Sequence, residues 1–112
     1  MTDNNSKILI IGMAYKSNLP DYRESPALEI FKLLYNDCKM VEYHDDYVKS
    51  IKLDNKTFKS TELTKLGLYD LIVITTEHSY IDYKKIVSDS QLILDTRNAT
   101  KGCKKKGNVV LL

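Results

Sequence analysis

The sequence of 112 residues is poor in cysteine and has little excess of charge of either sign. Its two cysteines, Cys38 and Cys103, lie too far apart for a C-x-x-C redox or zinc motif, so we expect free thiols in a reducing compartment, without a disulfide or a metal site. Lysine and arginine total 17, and aspartate and glutamate total 15, which gives a formal net charge of +2. Proteins specialised for nucleic acid carry a concentrated basic excess, so we expect no nucleic-acid partner.

Long hydrophobic runs are also missing. The longest apolar runs, such as Ile8–Ile11, are far shorter than the ~20 residues that a membrane-spanning helix requires. The N-terminal sequence MTDNNS is polar, and no apolar segment typical of a secretory signal follows it. From these absences we expect a cytoplasmic protein that does not associate with a membrane.

The composition that remains is typical of a globular domain. Hydrophobic residues make up 43% of the chain and charged residues 29%, a mixture that argues against a disordered chain. The length is that of one ordinary domain, and no repeat or linker rich in proline and glycine divides it. We therefore predict that residues 1–112 form a single domain.

Short apolar runs alternate with helical patterns along the chain. The predicted strands are residues 7–13, 39–44, 70–75, 91–95 and 108–112, and the predicted helices are residues 25–37, 60–67 and 80–87. Ser25 as N-cap and Pro26 in the first turn mark the start of the first helix. Residues 47–59 show little periodicity, and we predict a loop there with at most a short strand. The alternation predicts an α/β fold with a Rossmann-like open, mostly parallel sheet, helices on both faces and the last strand at the edge.

Three polar clusters follow predicted strands, at the sheet edge where ligands of open α/β folds bind. They are residues 15–24, 75–78 and 95–98. The turn at Gly12 lacks the G-x-G-x-x-G pattern, so it cannot cradle the pyrophosphate of a dinucleotide in the usual way. Lys16, Arg23 and Arg97 each fit an exposed loop charge when taken alone. Because all three fall at one predicted edge, they favour an anionic, phosphorylated ligand.

Two histidines and an acidic pair also stand near strand ends. His44 and His78 have no serine or cysteine partner nearby in sequence, and we predict a structural or incidental role for each. Asp45 and Asp46 follow the second predicted strand, where an acid can hold the ribose of a dinucleotide. Without the glycine turn, we interpret this pair as a turn former.

Residues 12–27, GMAYKSNLPDYRESPA, resemble the signature G-x-A-(F/Y)-K-x-(N/D)-x-x-D-x-R-E-S-P-A of the UDP-glucose/GDP-mannose dehydrogenase family, in its C-terminal domain. Residues 41–48, VEYHDDYV, resemble the second strand of that domain and its Y-D-P-Y-V ending, with Asp46 where proline is typical. Residues 69–78, YDLIVITTEH, resemble A-D-x-x-V-I-A-T-x-H, and residues 92–98, LILDTRN, resemble V-I-D-T-R-N. The resemblance spans nearly the whole chain.

The resemblance implies the UDP-sugar-binding domain of an NAD-dependent nucleotide-sugar 6-dehydrogenase, which oxidises a C6 alcohol to a carboxylate and gives a UDP-uronic acid. By position, Tyr15 and Lys16 match the substrate-contacting pair of the family, and Arg97 matches its second substrate cation. Arg23 matches an arginine that reaches the NAD bound by a neighbouring domain. The form of the motifs favours the UDP-N-acetylhexosamine branch.

The same resemblance implies partners for this chain. The family carries its NAD-binding glycine turn in an N-terminal domain and its nucleophilic cysteine in a central region, so the resemblance places no catalytic residue here. It implies those two domains as partners, and a homodimer of the full enzyme is compatible with it. Two alternatives stay open: a stand-alone, non-catalytic module that binds a nucleotide-sugar, and a generic α/β interaction domain whose cations are incidental.

Overall fold

The computed structural model describes residues 6–37, 40–104 and 107–112. Within these residues, strands and helices alternate much as the sequence predicts. In chain order the elements are β1 (Ile8–Ile11), α1 (Pro26–Asp37), β2 (Val41–His44), β3 (Ser50–Leu53), β4 (Lys56–Lys59), a 3-10 helix (Leu66–Leu68), β5 (Leu71–Ile74), α2 (Tyr83–Asp89), β6 (Ile93–Asp95) and β7 (Val109–Leu111).

Five of the strands form one sheet in the order β2-β1-β5-β6-β7, and every pairing in it is parallel. The chain passes from β1 through α1 to β2 on one side, and later enters β5 on the other side of β1. The direction of winding therefore reverses between β1 and β5, which is the place where open α/β sheets bind ligands. The predicted Rossmann-like sheet, with its last strand at the edge, is confirmed.

The central strand β1 shows why both faces of the sheet are covered. All four of its residues are buried. Ile8 and Ile10 lie in the same apolar cluster as Phe31 of α1, whereas Leu9 and Ile11 lie in the cluster that contains the buried residues of α2. Full burial of one such side chain contributes roughly 1.5–3 kcal/mol. A strand that is apolar on both sides therefore needs a helix on each side, as predicted.

The helix starts follow from their capping residues. The Ala27 N–H donates to the Ser25 hydroxyl oxygen over 3.0 Å, and Pro26 is the first residue of α1, as predicted. Helix α2 begins at Tyr83, later than predicted, because the Asp82 carboxylate accepts the Lys85 N–H and caps the helix there.

The region that we predicted as a loop with at most a short strand, residues 47–59, contains an antiparallel hairpin of β3 and β4. Asp54 and Asn55 between the strands both have positive φ angles, 51° and 67°, as a tight hairpin turn requires. The hairpin is short and mostly exposed, and it buries Ile51 fully and Phe58 partly. Because so few positions are buried, the alternation of apolar and polar residues is too weak to identify the two strands from the sequence.

The helix predicted for residues 60–67 is wrong in position, since the structure has a 3-10 helix at Leu66–Leu68 instead. The Ser60 hydroxyl oxygen accepts the Asp45 N–H over 2.8 Å, and the Thr61 N–H donates to the Tyr43 carbonyl oxygen over 2.8 Å. Both residues are thus bound to the end of β2. Ser60, which could cap a helix, instead binds a backbone N–H that is distant in sequence. The spacing of residues in the sequence does not reveal such a contact.

Some predictions fall on residues that the structure does not describe. Cys38 and the first residue of the predicted second strand, Lys39, lie outside the described residues. Cys103 is a half-buried free thiol. Among the described residues, no helix combines the length and the apolar character needed to cross a bilayer.

Candidate functional site

The candidate site lies at the carboxyl ends of the parallel strands, where three loops leave the sheet. We name them the β1 loop (residues 12–25), the β5 loop (residues 75–82) and the β6 loop (residues 96–104). Strand β5 lies between β1 and β6 in the sheet, so the β5 loop leaves the sheet between the starts of the other two. The four residues predicted to bind ligands lie on the β1 and β6 loops.

The β1 loop starts on a buried carboxylate. Oδ2 of Asp45 accepts the backbone N–H groups of Met13 and Ala14, each over 2.8 Å, and its Oδ1 accepts the N–H of Tyr47 over 2.8 Å. Burial alone would raise the pKa of Asp45, but hydrogen bonds from His78 and from the backbone of Ala14 and Tyr47 outweigh burial and lower that pKa. Asp45 is therefore ionised at neutral pH.

His78 connects this carboxylate to a later part of the β1 loop. Its Nε2 lies 2.8 Å from Oδ2 of Asp45, and its Nδ1 lies 2.8 Å from the backbone nitrogen of Asn18. A backbone N–H can only donate, so Nδ1 is the acceptor and Nε2 carries the proton that is donated to Asp45. Both side chains are fully buried. Asp45 turns the chain, as predicted, but the structure gives it and His78 this additional contact.

The β5 loop closes against the first turn of the β1 loop. The Thr75 hydroxyl donates to the Gly12 carbonyl oxygen, and the Thr76 hydroxyl donates to the Ala14 carbonyl oxygen over 2.6 Å. Gly12 has a φ of +98°, and a Cβ there would lie 2.6 Å from Thr76 backbone atoms. This close approach needs glycine, and it leaves no cradle for a dinucleotide pyrophosphate at the Gly12 turn.

A second buried carboxylate shapes the start of the β6 loop. Oδ1 of Asp95 accepts the N–H groups of Arg97 and Ala99, over 3.0 and 3.1 Å. Its Oδ2 accepts both the backbone N–H and the hydroxyl of Thr100, over 2.9 and 2.7 Å. Burial would raise the pKa of Asp95, but these hydrogen bonds, with that of the Thr100 hydroxyl first, lower it. The backbone at Arg97 is thereby fixed.

The side chains predicted to bind ligands are all exposed. Nζ of Lys16 lies 5.8 Å from the centre of the Tyr15 ring, so these two residues stand together. Nε of Arg23 lies 3.6 Å from a carboxylate oxygen of Asp21, a pair so exposed that its attraction is weak. Arg97 is exposed on the β6 loop. The contacts of the described residues join Lys16 to Tyr15, and they do not join Arg97 to either.

A shallow pocket of about 400 Å³ lies beside β2, away from these four residues. Its lining consists of His44, Asp46, Lys49, Lys59, Ser60, Thr61, Glu62 and Leu63. Nδ1 of His44 lies 2.6 Å from the Thr61 carbonyl oxygen, and its Nε2 lies 2.9 Å from the Tyr80 hydroxyl. Both ring nitrogens of His44 are therefore occupied, which supports the structural role predicted for it.

Sequence reasoning missed several residues that fix the loops. These are Asp45 and His78 in their paired role, Asn18 with its positive φ of 60°, and Thr76. All four lie within the segments that resemble the family motifs, but those motifs do not show which of these residues bind one another. Among the described residues, no group of three or more histidine, cysteine, aspartate or glutamate side chains is arranged to hold a metal ion.

Comparison with protein families gives a match for most of the chain. Residues 9–102 match the UDP-binding domain of the UDP-glucose/GDP-mannose dehydrogenase family. The chain is 34% identical over 101 residues to a UDP-N-acetyl-D-mannosamine dehydrogenase of Pyrococcus horikoshii, covering 84% of this chain and 22% of that protein. It is 34% identical over 106 residues to a UDP-glucose 6-dehydrogenase of Rickettsia bellii, covering 84% of this chain and 24% of that protein.

Solved structures give the same result. The structure of the UDP-D-ManNAc dehydrogenase from Pyrococcus horikoshii superposes with a TM-score of 0.71 at 28% identity, over 99% of this chain and 26% of that one. That of the UDP-N-acetyl-mannosamine dehydrogenase from Staphylococcus aureus superposes with a TM-score of 0.65 at 25% identity, over 96% of this chain and 26% of that one. The chain thus spans about a quarter of the length of these relatives.

Proposed function

Because the chain belongs to the UDP-glucose/GDP-mannose dehydrogenase family, whose UDP-binding domain it matches over residues 9–102, we propose that residues 1–112 bind the UDP part of a nucleotide-sugar. The observation that carries this proposal is the edge of the sheet, where exposed Tyr15, Lys16 and Arg97 stand on loops fixed by buried carboxylates. Held in this way, the two cations present charge to a ligand without first having to order their backbone.

Lys16 and Arg97 differ in what they offer a diphosphate. The ammonium of Lys16 is a flexible point charge, whereas the guanidinium of Arg97 donates directional hydrogen bonds to two oxygens at once. Tyr15 adds an exposed aromatic ring beside Lys16. The two cations together neutralise the two negative charges of the diphosphate, and Arg97 sets its orientation.

Within a full enzyme, this domain serves an NAD-dependent nucleotide-sugar 6-dehydrogenase in the cytoplasm. The first turn of this chain does not fit NAD, because Asp45 already accepts the N–H groups of Met13 and Ala14, and Thr76 fills the space beside Gly12. We therefore place NAD in another domain, and the family resemblance implies the same for the catalytic cysteine. Arg23, with a side chain 83% exposed, extends toward a cofactor that a neighbouring domain holds.

The proposal is tested by calorimetric titration of the chain with UDP-glucose, UDP-N-acetylglucosamine and uridine. We expect both UDP-sugars to bind with one site per chain, and uridine, which has no phosphate, to bind far more weakly. Equal binding of uridine and the UDP-sugars would contradict the role of the cations. The same chain mixed with NAD and a UDP-sugar is expected to form no NADH, because the family resemblance places the NAD-binding turn and the nucleophilic cysteine in other domains.

A further inference from the structure

We propose that Asp45 and His78 form a positioning pair that holds the segment carrying Tyr15 and Lys16 in its ligand-binding shape. The proposal deepens the function proposed above and rests on it for the identity of the ligand. Neither side chain is exposed, so neither touches the ligand, and both act through the backbone of the β1 loop.

The pair grips the β1 loop on both sides of the ligand-binding residues. Asp45 accepts the N–H groups of Met13 and Ala14, directly before Tyr15. His78 accepts the N–H of Asn18, two residues after Lys16. The hydrogen bond between His78 and Asp45 joins these two anchors. Residues 15–17 are thus the short bridge of a closed ring of hydrogen bonds.

Apolar packing does not fix this bridge. Residues 15–20 are exposed, and the Tyr15 and Leu19 side chains are each 49% exposed. A segment without buried side chains keeps one shape only through its backbone partners. Besides the two anchors of the pair, the described contacts are the Tyr15 N–H bond to the Asp21 carbonyl oxygen, a long Leu19 N–H bond of 3.4 Å to the Lys16 carbonyl oxygen, and the bonds from Ser79 to the Asn18 side chain.

The surroundings of His78 keep its two bonds intact. The Tyr47 ring centre lies 4.9 Å away and the Tyr80 ring centre 5.6 Å away, and the two rings cover the imidazole. The backbone N–H of His78 donates to the Tyr83 hydroxyl over 3.0 Å. Because water does not reach the pair, no solvent molecule competes for Nδ1 or for the Asp45 carboxylate.

Two variants of His78 separate the two bonds. In His78→Gln, the side-chain amide nitrogen takes the place of Nε2 and keeps the bond to Asp45, but nothing accepts the Asn18 N–H. In His78→Asn, the side-chain oxygen takes the place of Nδ1 and keeps the Asn18 bond, but Asp45 loses its buried partner. The first variant is expected to free the loop, and the second is expected to lower the melting temperature more.

The test measures loop order and affinity separately. Nitrogen-15 relaxation of the ligand-free chain should show the amides of residues 15–18 mobile in His78→Gln and rigid in the wild type and in His78→Asn. UDP-glucose should bind His78→Gln about 10-fold more weakly than the wild type, which corresponds to ~1.4 kcal/mol. Rigid amides and unchanged affinity in His78→Gln would overturn the proposal.

The wild-type chain supplies a readout that needs no variant. The imidazole nitrogen shifts should show His78 with its proton on Nε2, and a coupling across the hydrogen bond should link Nδ1 to the Asn18 amide. A proton on Nδ1 would overturn the proposal even where a variant fails to fold. If the wild type does not bind UDP-glucose, the function proposed above fails, while the relaxation data still decide whether the pair holds the loop.

Discussion

The β1 loop and the β6 loop each depend on one buried aspartate, but the two aspartates act over very different distances along the chain. Asp95 binds backbone groups two, four and five residues ahead of it. Asp45 binds Met13 and Ala14, which lie 32 and 31 residues before it, and His78, which lies 33 residues after it. The β6 loop is therefore organised locally, whereas the β1 loop takes its shape only once β1, β2 and β5 are paired.

This difference decides what each loop loses when the fold is disturbed. The carboxylate, donors and cation of the β6 loop all lie within residues 95–100, so a local turn preserves them. The groups that anchor the β1 loop follow the ends of three separate strands, so any shift between β1, β2 and β5 moves Lys16 relative to the sheet. The two proposed ligand cations thus have unequal sensitivity to the rest of the protein.

The largest effect is expected for Asp45→Ala. It leaves three backbone N–H groups and the ring N–H of His78 without their acceptor. Each unsatisfied buried donor costs about 1–3 kcal/mol, so we expect a total loss of about 3–5 kcal/mol. Asp95→Ala should also be costly, because the Ala99 N–H and the two Thr100 donors are buried, but it should cost less, since the exposed Arg97 N–H can bind water and no contact between distant strands is lost. Denaturant unfolding measures both. The neighbouring exposed residue provides the control, since Asp46→Ala should change stability little. Equal losses for Asp45 and Asp95 would remove the distinction between the loops.

A smaller but clear loss of stability is expected for Gly12→Ala, which tests the closure of the β1 loop on the β5 loop. The new methyl group would meet backbone atoms of Thr76 at 2.6 Å in addition to the strain of a positive φ. Gly102→Ala is the matched control, because its φ is +81° and it has no atom within 4 Å. Positive φ alone costs roughly 1–2 kcal/mol. The melting temperature of Gly12→Ala should therefore be well below that of Gly102→Ala. Similar melting temperatures would show that the contact with Thr76 is not tight.

These positions also show how much the sequence could reveal. The sheet, its edge strand and the start of α1 were predictable, because apolar runs, Ser25 and Pro26 act through neighbours in the chain. The exposed cations were placed on the correct loops for the same reason. The Asp45–His78 pair and the hairpin at residues 50–59 were not predictable, since the first joins distant strand ends and the second buries too few residues to leave a pattern.

Ligand affinity should change by a smaller free energy than stability does in Asp45→Ala. Lys16→Ala and Arg97→Ala should each weaken UDP-glucose binding by about 1.5–3 kcal/mol, the usual scale of hydrogen bonds to charged groups, or roughly 10- to 150-fold. If the loops act independently, the losses of binding free energy should add in the double variant.

The matched control is Lys52→Ala, which removes an exposed lysine on β3. Arg23→Ala should leave UDP-glucose binding by this chain unchanged. A large loss for Arg23→Ala would reassign that residue to the substrate.

The smallest effect concerns acid stability. Both Asp45 and Asp95 have pKa values below the ordinary value, so the stability that each contributes is present above about pH 4 and is lost as the pH falls through the folded-state pKa. Unfolding followed between pH 6 and pH 2 should therefore show a steady loss below about pH 4. Asp45→Asn should reduce the dependence of the unfolding free energy on pH below about pH 4. An unchanged dependence would show that Asp45 does not contribute to it.

The central claim is that the edge formed by the β1 and β6 loops binds the UDP part of a nucleotide-sugar. The most direct measurement is titration of the nitrogen-15-labelled chain with UDP-glucose, followed by amide chemical shifts. The account predicts that the amides of Tyr15, Lys16 and Arg97 shift together with one dissociation constant. Shifts confined to the pocket beside β2, around His44 and Lys49, or no shifts at millimolar UDP-glucose, would contradict it.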